Sequence, residues 1–256
     1  MMFQRKFYGA IFGAATLVAA ASAFVIPSSA QDAAAFDAKQ KDAIRAIVKE
    51  YLLEQPEILR EAITELNKRQ EVAATEERKK ALATLYKQDS PFSTGSGKIT
   101  LVEFFDYNCG YCRKAFDNLV GVANQEKDVR VVFVEFPILS EGSRVASQAA
   151  IASTKQGKYF PFHQGLMKYK GEVKEDVVFK VAAEVGLDVE KLKADMKLPE
   201  VDALIEKNLE LGTAMGVQGT PAIFVGDEAI PGAPENLNAI LKTAVAGIRE
   251  KGCSVC

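Results

Sequence analysis

ITLVEFFDYNCGYCR, Ile99 to Arg113, is the stretch from which the rest of the chain is read. Ile99, Leu101, Val102, Phe104 and Phe105 form a short apolar run of β-branched and aromatic residues, the pattern of a strand covered on both faces. Asp106, Tyr107 and Asn108 break the run, and from Cys109 the pattern turns helical, with Ala115, Phe116, Leu119, Val120 and Ala123 on one face. Cys109 is therefore expected where a strand hands over to a helix N-terminus. Unpaired N–H groups and the positive end of the helix dipole favour a thiolate there, which predicts an acidic, exposed nucleophile. Only Gly110 and Tyr111 separate it from Cys112, about one turn on, within disulfide reach and deeper in the helix. Dithiols of this kind have nucleophile pKa values of about 3.5–7.5 and can pass a disulfide to another protein.

Taken with Gly219-Thr220-Pro221 far downstream, the strand and Cys109-Gly110-Tyr111-Cys112 resemble the DsbA branch of the thioredoxin superfamily, from Lys98 to about Arg249. The Gly-Tyr dipeptide and a helical stretch ahead of the domain are most similar to its ScsC-like and Com1-like members. The resemblance implies an α/β, thioredoxin-like fold in which Pro221 is cis and faces the dithiol. It implies that Gly110, Tyr111, Thr220 and Pro221 meet the substrate, the Thr220 backbone by β-type pairing. It further implies a buried acid beneath the second cysteine, a position matched by Glu103, which could relay the proton of Cys112. Its reading is an exported thiol–disulfide oxidoreductase or isomerase with Cys109, Cys112 and Glu103 as catalytic residues. The partners would be cysteine-containing exported proteins and a membrane redox protein, with no cofactor. The family's oxidase carries Pro-His between its cysteines, so Gly110-Tyr111 leaves the redox poise open.

A Cys-x-x-Cys can also be half of a zinc site. The other half would have to come from His163 or from Cys253 and Cys256, and neither spacing fits a zinc module. The second Cys-x-x-Cys, Cys253 and Cys256, has no strand before it and no room for a helix after it. It is expected to be a small local disulfide or an ill-ordered tail, 251–256, with Cu(I) as a further candidate because two thiolates suit that ion. The opposed functional reading is a Cu(I)-binding periplasmic protein of copper tolerance with little or no turnover.

Arg5 and Lys6, the apolar run from Ala10 to Ile26, and Pro27-Ser28-Ser29-Ala30 read as a signal peptide over residues 1–30, cleaved before Gln31. The alternative is a retained anchor, against which stand the shortness of the run and its interruption at Ser22. Export would place the protein in the periplasm, where disulfide chemistry is at home. A net charge of −2 in 256 residues leaves no footprint for nucleic acid.

Residues 31–90 read as an N-terminal helical oligomerisation region. Ile44, Ile47, Val48, Tyr51 and Leu52 make one apolar stripe, and beyond Pro56 it is continued by Ile58, Leu59, Ala62, Ile63 and Leu66. A short amphipathic pair cannot bury its stripe alone and needs a partner surface, either the catalytic domain on which it folds back or a second copy; the reading taken, which the resemblance also implies, is a homo-oligomer, dimer or trimer. Asn67 to Lys80 is strongly polar and reads as a charged helical shaft with too little apolar surface to pack on a core. A truncation beginning near Ser90 is then expected to be monomeric.

Asp89 to Gly97 reads as a turn-rich boundary before a domain spanning 91–250. Val129 to Phe136 supplies a second strand, parallel to the first across one helix. Glu135 near its end is expected to be a solvated or loop-paired charge without a catalytic part. Residues 143–215 read as a helical insertion in which His163, the single histidine, is a packing residue rather than a ligand. Ala222 to Val225 and Glu228 to Ile230 make a hairpin, and Glu235 to Arg249 closes the domain as a helix on the sheet.

Overall fold

The computed structural model describes residues 36–87, 90–226, 228–253 and 255; the expected signal peptide and Cys256 lie outside them. Residues up to Arg60 form one compact unit and Glu61 onward another.

In the first unit, α1 (Ala38–Glu54) opens on a capping box in which Asp37 and Gln40 bond each other's backbone N–H. None of its residues is buried, and Phe36, Ile44, Ile47, Val48, Tyr51 and Leu59 are exposed. Pro56 immediately precedes α2, Glu57–Lys87, which runs unbroken through the stretch read as a shaft. Its exposed face carries local ion pairs, Arg69 to Glu65 and Lys80 to Glu77.

Beyond the polar stretch of Asn67 to Lys80 the last turns of α2 are packed. Leu82 and Tyr86 are buried against Val102, Phe104, Val132 and Phe224, Tyr86 donates to the Gly226 carbonyl at 2.6 Å, and Arg78 reaches the Met215 carbonyl at 3.3 Å. Burying side chains of this size contributes about 1.5–3 kcal/mol each, so Leu82 and Tyr86 belong to the core of the second unit.

That unit is built on a five-stranded sheet of order β1-β3-β2-β4-β5. Here β1 is Ser93–Gly95, β2 Ile99–Phe105, β3 Val129–Glu135, β4 Ala222–Val225 and β5 Glu228–Pro231. β2 and β3 are parallel, joined by α3 (Gly110–Gln125), and the other pairings are antiparallel. The boundary segment thus holds a strand that its turn-forming residues hid. Gly97 lets the chain pass between β1 and β2, since a Cβ there would lie 1.8 Å from the Asp128 carbonyl carbon.

Strand alternation sorts the core. Leu101, Phe105, Val131 and Phe133 face α3, α9 (Leu237–Lys251) and the inserted helices, whereas Val102, Phe104, Val132 and Val134 face the end of α2. Glu103 and Glu135, by the same parity, point to the first side. The insertion comprises α4 (Glu141–Ser153), α5 (Tyr159–Lys168), α6 (Glu175–Glu184), α7 (Val189–Asp195) and α8 (Pro199–Ala214). Among the described residues no helix is long and apolar enough to cross a membrane.

Candidate functional site

Cys109 is the N-cap of α3, and its sulfur accepts the Cys112 backbone N–H at 3.2 Å. A helix cap normally carries an oxygen; a sulfur there receives the same donors and is stabilised as an anion. On the other side the Cys109 thiol donates to the Thr220 carbonyl at 3.3 Å, and the Thr220–Pro221 peptide is cis. The two halves of the motif, 111 positions apart, therefore meet at one sulfur.

The thiols are unlike. A hydrogen bond from Cys112 is the largest influence on Cys109 and, against the opposing effect of burial, lowers its pKa to about 6. Cys112 is held well above the ordinary thiol range, first by burial, then by its bond to Cys109 and by the charge of Glu103. Both are free cysteines. The expected exposure of Cys109 is not found: only 5% of it meets solvent, because the sulfur is tucked between the helix start and Thr220. Tyr111 beside it is 63% exposed, and Gly110 is exposed as well.

Glu103 lies on β2 between Phe133 and Ile223 of the neighbouring strands, fully buried, with neither carboxylate oxygen hydrogen-bonded. Burial raises its pKa well above the carboxylate range, and a charge on Cys109 raises it further.

Sequence reasoning missed the residues that tie this loop down. Asp106 accepts the amides of Asn108, Ile138 and Leu139 and the hydroxyl of Ser143. Asn108 reaches across to Val173 in the insertion and to Ser140, the N-cap of α4. Short loop residues such as these carry no periodic signal.

Glu135 corrects the expectation of a solvated charge. It is 1% exposed, and its carboxyl accepts from Ser147 at 2.7 Å, Tyr107 at 3.0 Å and Tyr159 at 3.1 Å. Burial outweighs these bonds and pushes its pKa up to about 8. The parity it shares with Val131 and Phe133 was the available signal. His163 packs as expected, among Phe105, Phe133 and Tyr159, and also shares a 2.9 Å hydrogen bond with Tyr107 through Nδ1.

At the C-terminal tail Cys253 is in a disulfide, and its Cys-x-x-Cys partner position, Cys256, is outside the described residues.

An N-capping thiol of depressed pKa, a buried second thiol and an opposing Thr-Pro turn on this sheet define the thioredoxin-like class of dithiol proteins. The chain belongs to the DsbA-like thioredoxin domain family, which matches residues 100–241. The N-terminal domain of the copper resistance protein ScsC matches residues 40–73. A thioredoxin-like oxidoreductase from Silicibacter pomeroyi is 44% identical, covering 62% of this chain and 91% of that one with a TM-score of 0.59. Proteus mirabilis ScsC in a transitional conformation is 30% identical, covering 83% of this chain and all of that one, with a TM-score of 0.59. A curated relative, the Na(+)/H(+) antiporter NhaA of Herminiimonas arsenicoxydans, is 31% identical over 157 residues, 59% of this chain and 25% of its own. This chain thus spans about a quarter of that relative.

Proposed function

We propose that this chain is an exported thiol–disulfide oxidoreductase of the periplasm, acting on cysteines of other exported proteins and able to reshuffle wrong disulfides. The observation that carries the reading is the asymmetry at α3: one sulfur caps the helix at low pKa while the other is buried beneath it. The Cys109 thiolate attacks a client disulfide, a mixed disulfide forms, and one client thiolate leaves. Cys112 then attacks the Cys109 sulfur, releasing the second client thiol and closing the Cys109–Cys112 disulfide, so the client gains two electrons. Run backward, the same steps oxidise a client; in isomerisation the freed client thiolate attacks a different client disulfide.

Cys112 must shed its proton to resolve the intermediate. In the mixed disulfide Cys109 carries no charge, which removes one of the two influences raising the pKa of Glu103. Glu103 is thereby brought nearer the ionised form in which it can accept the proton of Cys112. Gly110, Tyr111, Thr220 and Pro221 line the approach of the client, and a membrane redox protein resets the dithiol. Cys109→Ser is expected to abolish insulin reduction and disulfide transfer; full activity in that variant would overturn the mechanism.

Self-association through the exposed apolar residues of Phe36 to Leu66 gives the isomerase reading its physical basis. Several dithiols around one client raise their effective concentration without any new contact. The copper-holding alternative has less support, because Cys253, one of its two candidate thiolates, is in a disulfide.

A further inference from the structure

Below the catalytic loop lies a set of buried polar groups that disulfide exchange does not use. Tyr107, two residues before Cys109, is fully buried, and its hydroxyl stands 3.0 Å from Glu135 Oε1 and 2.9 Å from His163 Nδ1. A phenol has one proton, so Tyr107 donates to one of these partners and accepts from the other. The carboxyl is held in turn by Tyr159 at Oε1 and Ser147 at Oε2. Its anchors are therefore β3, α4 and α5, three elements of the core.

The other end of Tyr107 is equally constrained. Its carbonyl accepts from Arg113 Nε at 3.2 Å and from a terminal guanidinium nitrogen at 2.8 Å. Arg113 lies in the first turn of α3, and its own amide bonds the Cys109 carbonyl at 3.2 Å. One residue thus joins the floor of the domain to the first turn of the catalytic helix. The cap at Cys109 works only while that turn and the incoming loop keep their relative position, since a bond from N–H to sulfur weakens steeply with angle.

We propose that Tyr107 is a positioning residue for Cys109, clamped by Glu135 and His163 below and by Arg113 above so that the helix start presents its N–H to the sulfur. The inference rests on the reading of Cys109 as the nucleophile. The groups facing the Tyr107 hydroxyl are Glu135, His163 and Tyr159, with Asp106 close enough to act on Glu135 by charge. His163 stays neutral because burial lowers its pKa to about 3.

The test is the titration of Cys109 followed by thiolate absorbance, together with the reduction potential. In Tyr107→Phe the ratio of thiolate to thiol near pH 6 is expected to fall about three- to tenfold, the worth of one or two lost hydrogen bonds. The potential should move to more negative values, because the reduced state loses stabilisation. Ser147→Ala removes a hydroxyl from the other oxygen of the same carboxyl without touching the loop, and should leave the Cys109 titration in place. Glu135→Gln keeps an acceptor for Tyr107 and should stay near the parent, whereas Glu135→Ala should follow Tyr107→Phe and answers the question if that variant does not fold. An unchanged titration in Tyr107→Phe or in Glu135→Ala, or an equal shift in Ser147→Ala, overturns the proposal. None of these readings assays exchange, so failure here is distinct from failure of Cys109→Ser to abolish it.

Discussion

Asn108 and Val173 exchange a pair of hydrogen bonds: the Val173 amide donates to Asn108 Oδ1 at 2.7 Å, and Asn108 Nδ2 donates to the Val173 carbonyl at 3.1 Å. The side-chain amide imitates one rung of a β-ladder between the catalytic loop and the inserted helices. Close approach at this point needs Gly142, where a Cβ would lie 2.4 Å from the Val173 carbonyl oxygen. Asn108→Ala strands that amide and carbonyl, at about 1–3 kcal/mol for each group left unsatisfied. The expected result is a lowered urea midpoint with an unchanged slope, measured on the oxidised protein. A midpoint equal to the parent's would show that the rung contributes nothing.

Alkylation of the reduced protein should resolve the two thiols. With the Cys109 pKa lowered to about 6, its reaction with iodoacetamide is expected to reach half its plateau rate near pH 6, while Cys112 stays unmodified at neutral pH. A folded pKa below the unfolded one adds stability above the unfolded value and loses it as pH falls through the folded one. The reduced protein should therefore gain stability between about pH 6 and the ordinary thiol value of 9.0, and the oxidised protein should lack that gain. Peptide mapping of the alkylated cysteines, beside melts of both redox forms, checks both.

The buried acids act in the opposite sense. Glu103 and Glu135 have folded pKa values above the ordinary 4.5, about 8 for Glu135. Each lets the folded state hold a proton that the unfolded state has released, so the stability present below pH 4.5 declines as pH rises toward 8. The slope reaches at most about 1.4 kcal/mol per pH unit for each group. In oxidised protein, where the dithiol does not titrate, Glu135→Gln should flatten this decline. Glu103→Leu should raise stability at neutral pH by about 1–3 kcal/mol, since a carboxyl without partners is replaced by an apolar group, while slowing resolution of the mixed disulfide. A Glu103→Leu variant that is less stable, or that resolves at the parental rate, would contradict the account.

Removal of residues before Ser90 would take away Leu82 and Tyr86 with the helical region. The informative truncation starts near Asn67, keeping Arg78 and the buried end of α2 while losing the exposed apolar residues of Phe36 to Leu66. It is expected to sediment as a monomer, to reduce simple disulfides like the parent, and to lose activity on scrambled ribonuclease. The Ser90 truncation should in addition melt lower. A monomeric full-length chain, or a monomer that isomerises as well as the parent, would end the oligomer proposal.

Much of the site was legible because its chemistry is local. A strand run, two cysteines three positions apart and a helical repeat after them place one thiol at a helix start wherever the chain folds. Glu103 could be suspected from one charge inside an apolar run. Glu135 was misread because a carboxylate at a strand end has the same sequence signature whether it faces water or the core; the hydroxyls that cover it come from α4, α5 and the catalytic loop. Ser93–Gly95 was hidden for a related reason, since an edge strand of three residues is held by its ladder with β3 rather than by side-chain pattern.

By itself the sequence determined the periodic elements, the order of strand, dithiol and helix, and the place of Cys109 at a helix start, all of which depend on neighbours within a few positions along the chain. Only the tertiary structure decided which groups far apart in sequence share a surface. It brought Thr220 to the Cys109 sulfur, closed Val173 on Asn108, drew the end of α2 into the core and enclosed Tyr107 between Glu135 and His163. The physical reason is that hydrophobic burial is non-directional and chooses which faces meet, whereas the need to pair every buried polar group then fixes the partners, and neither choice is written in any one segment.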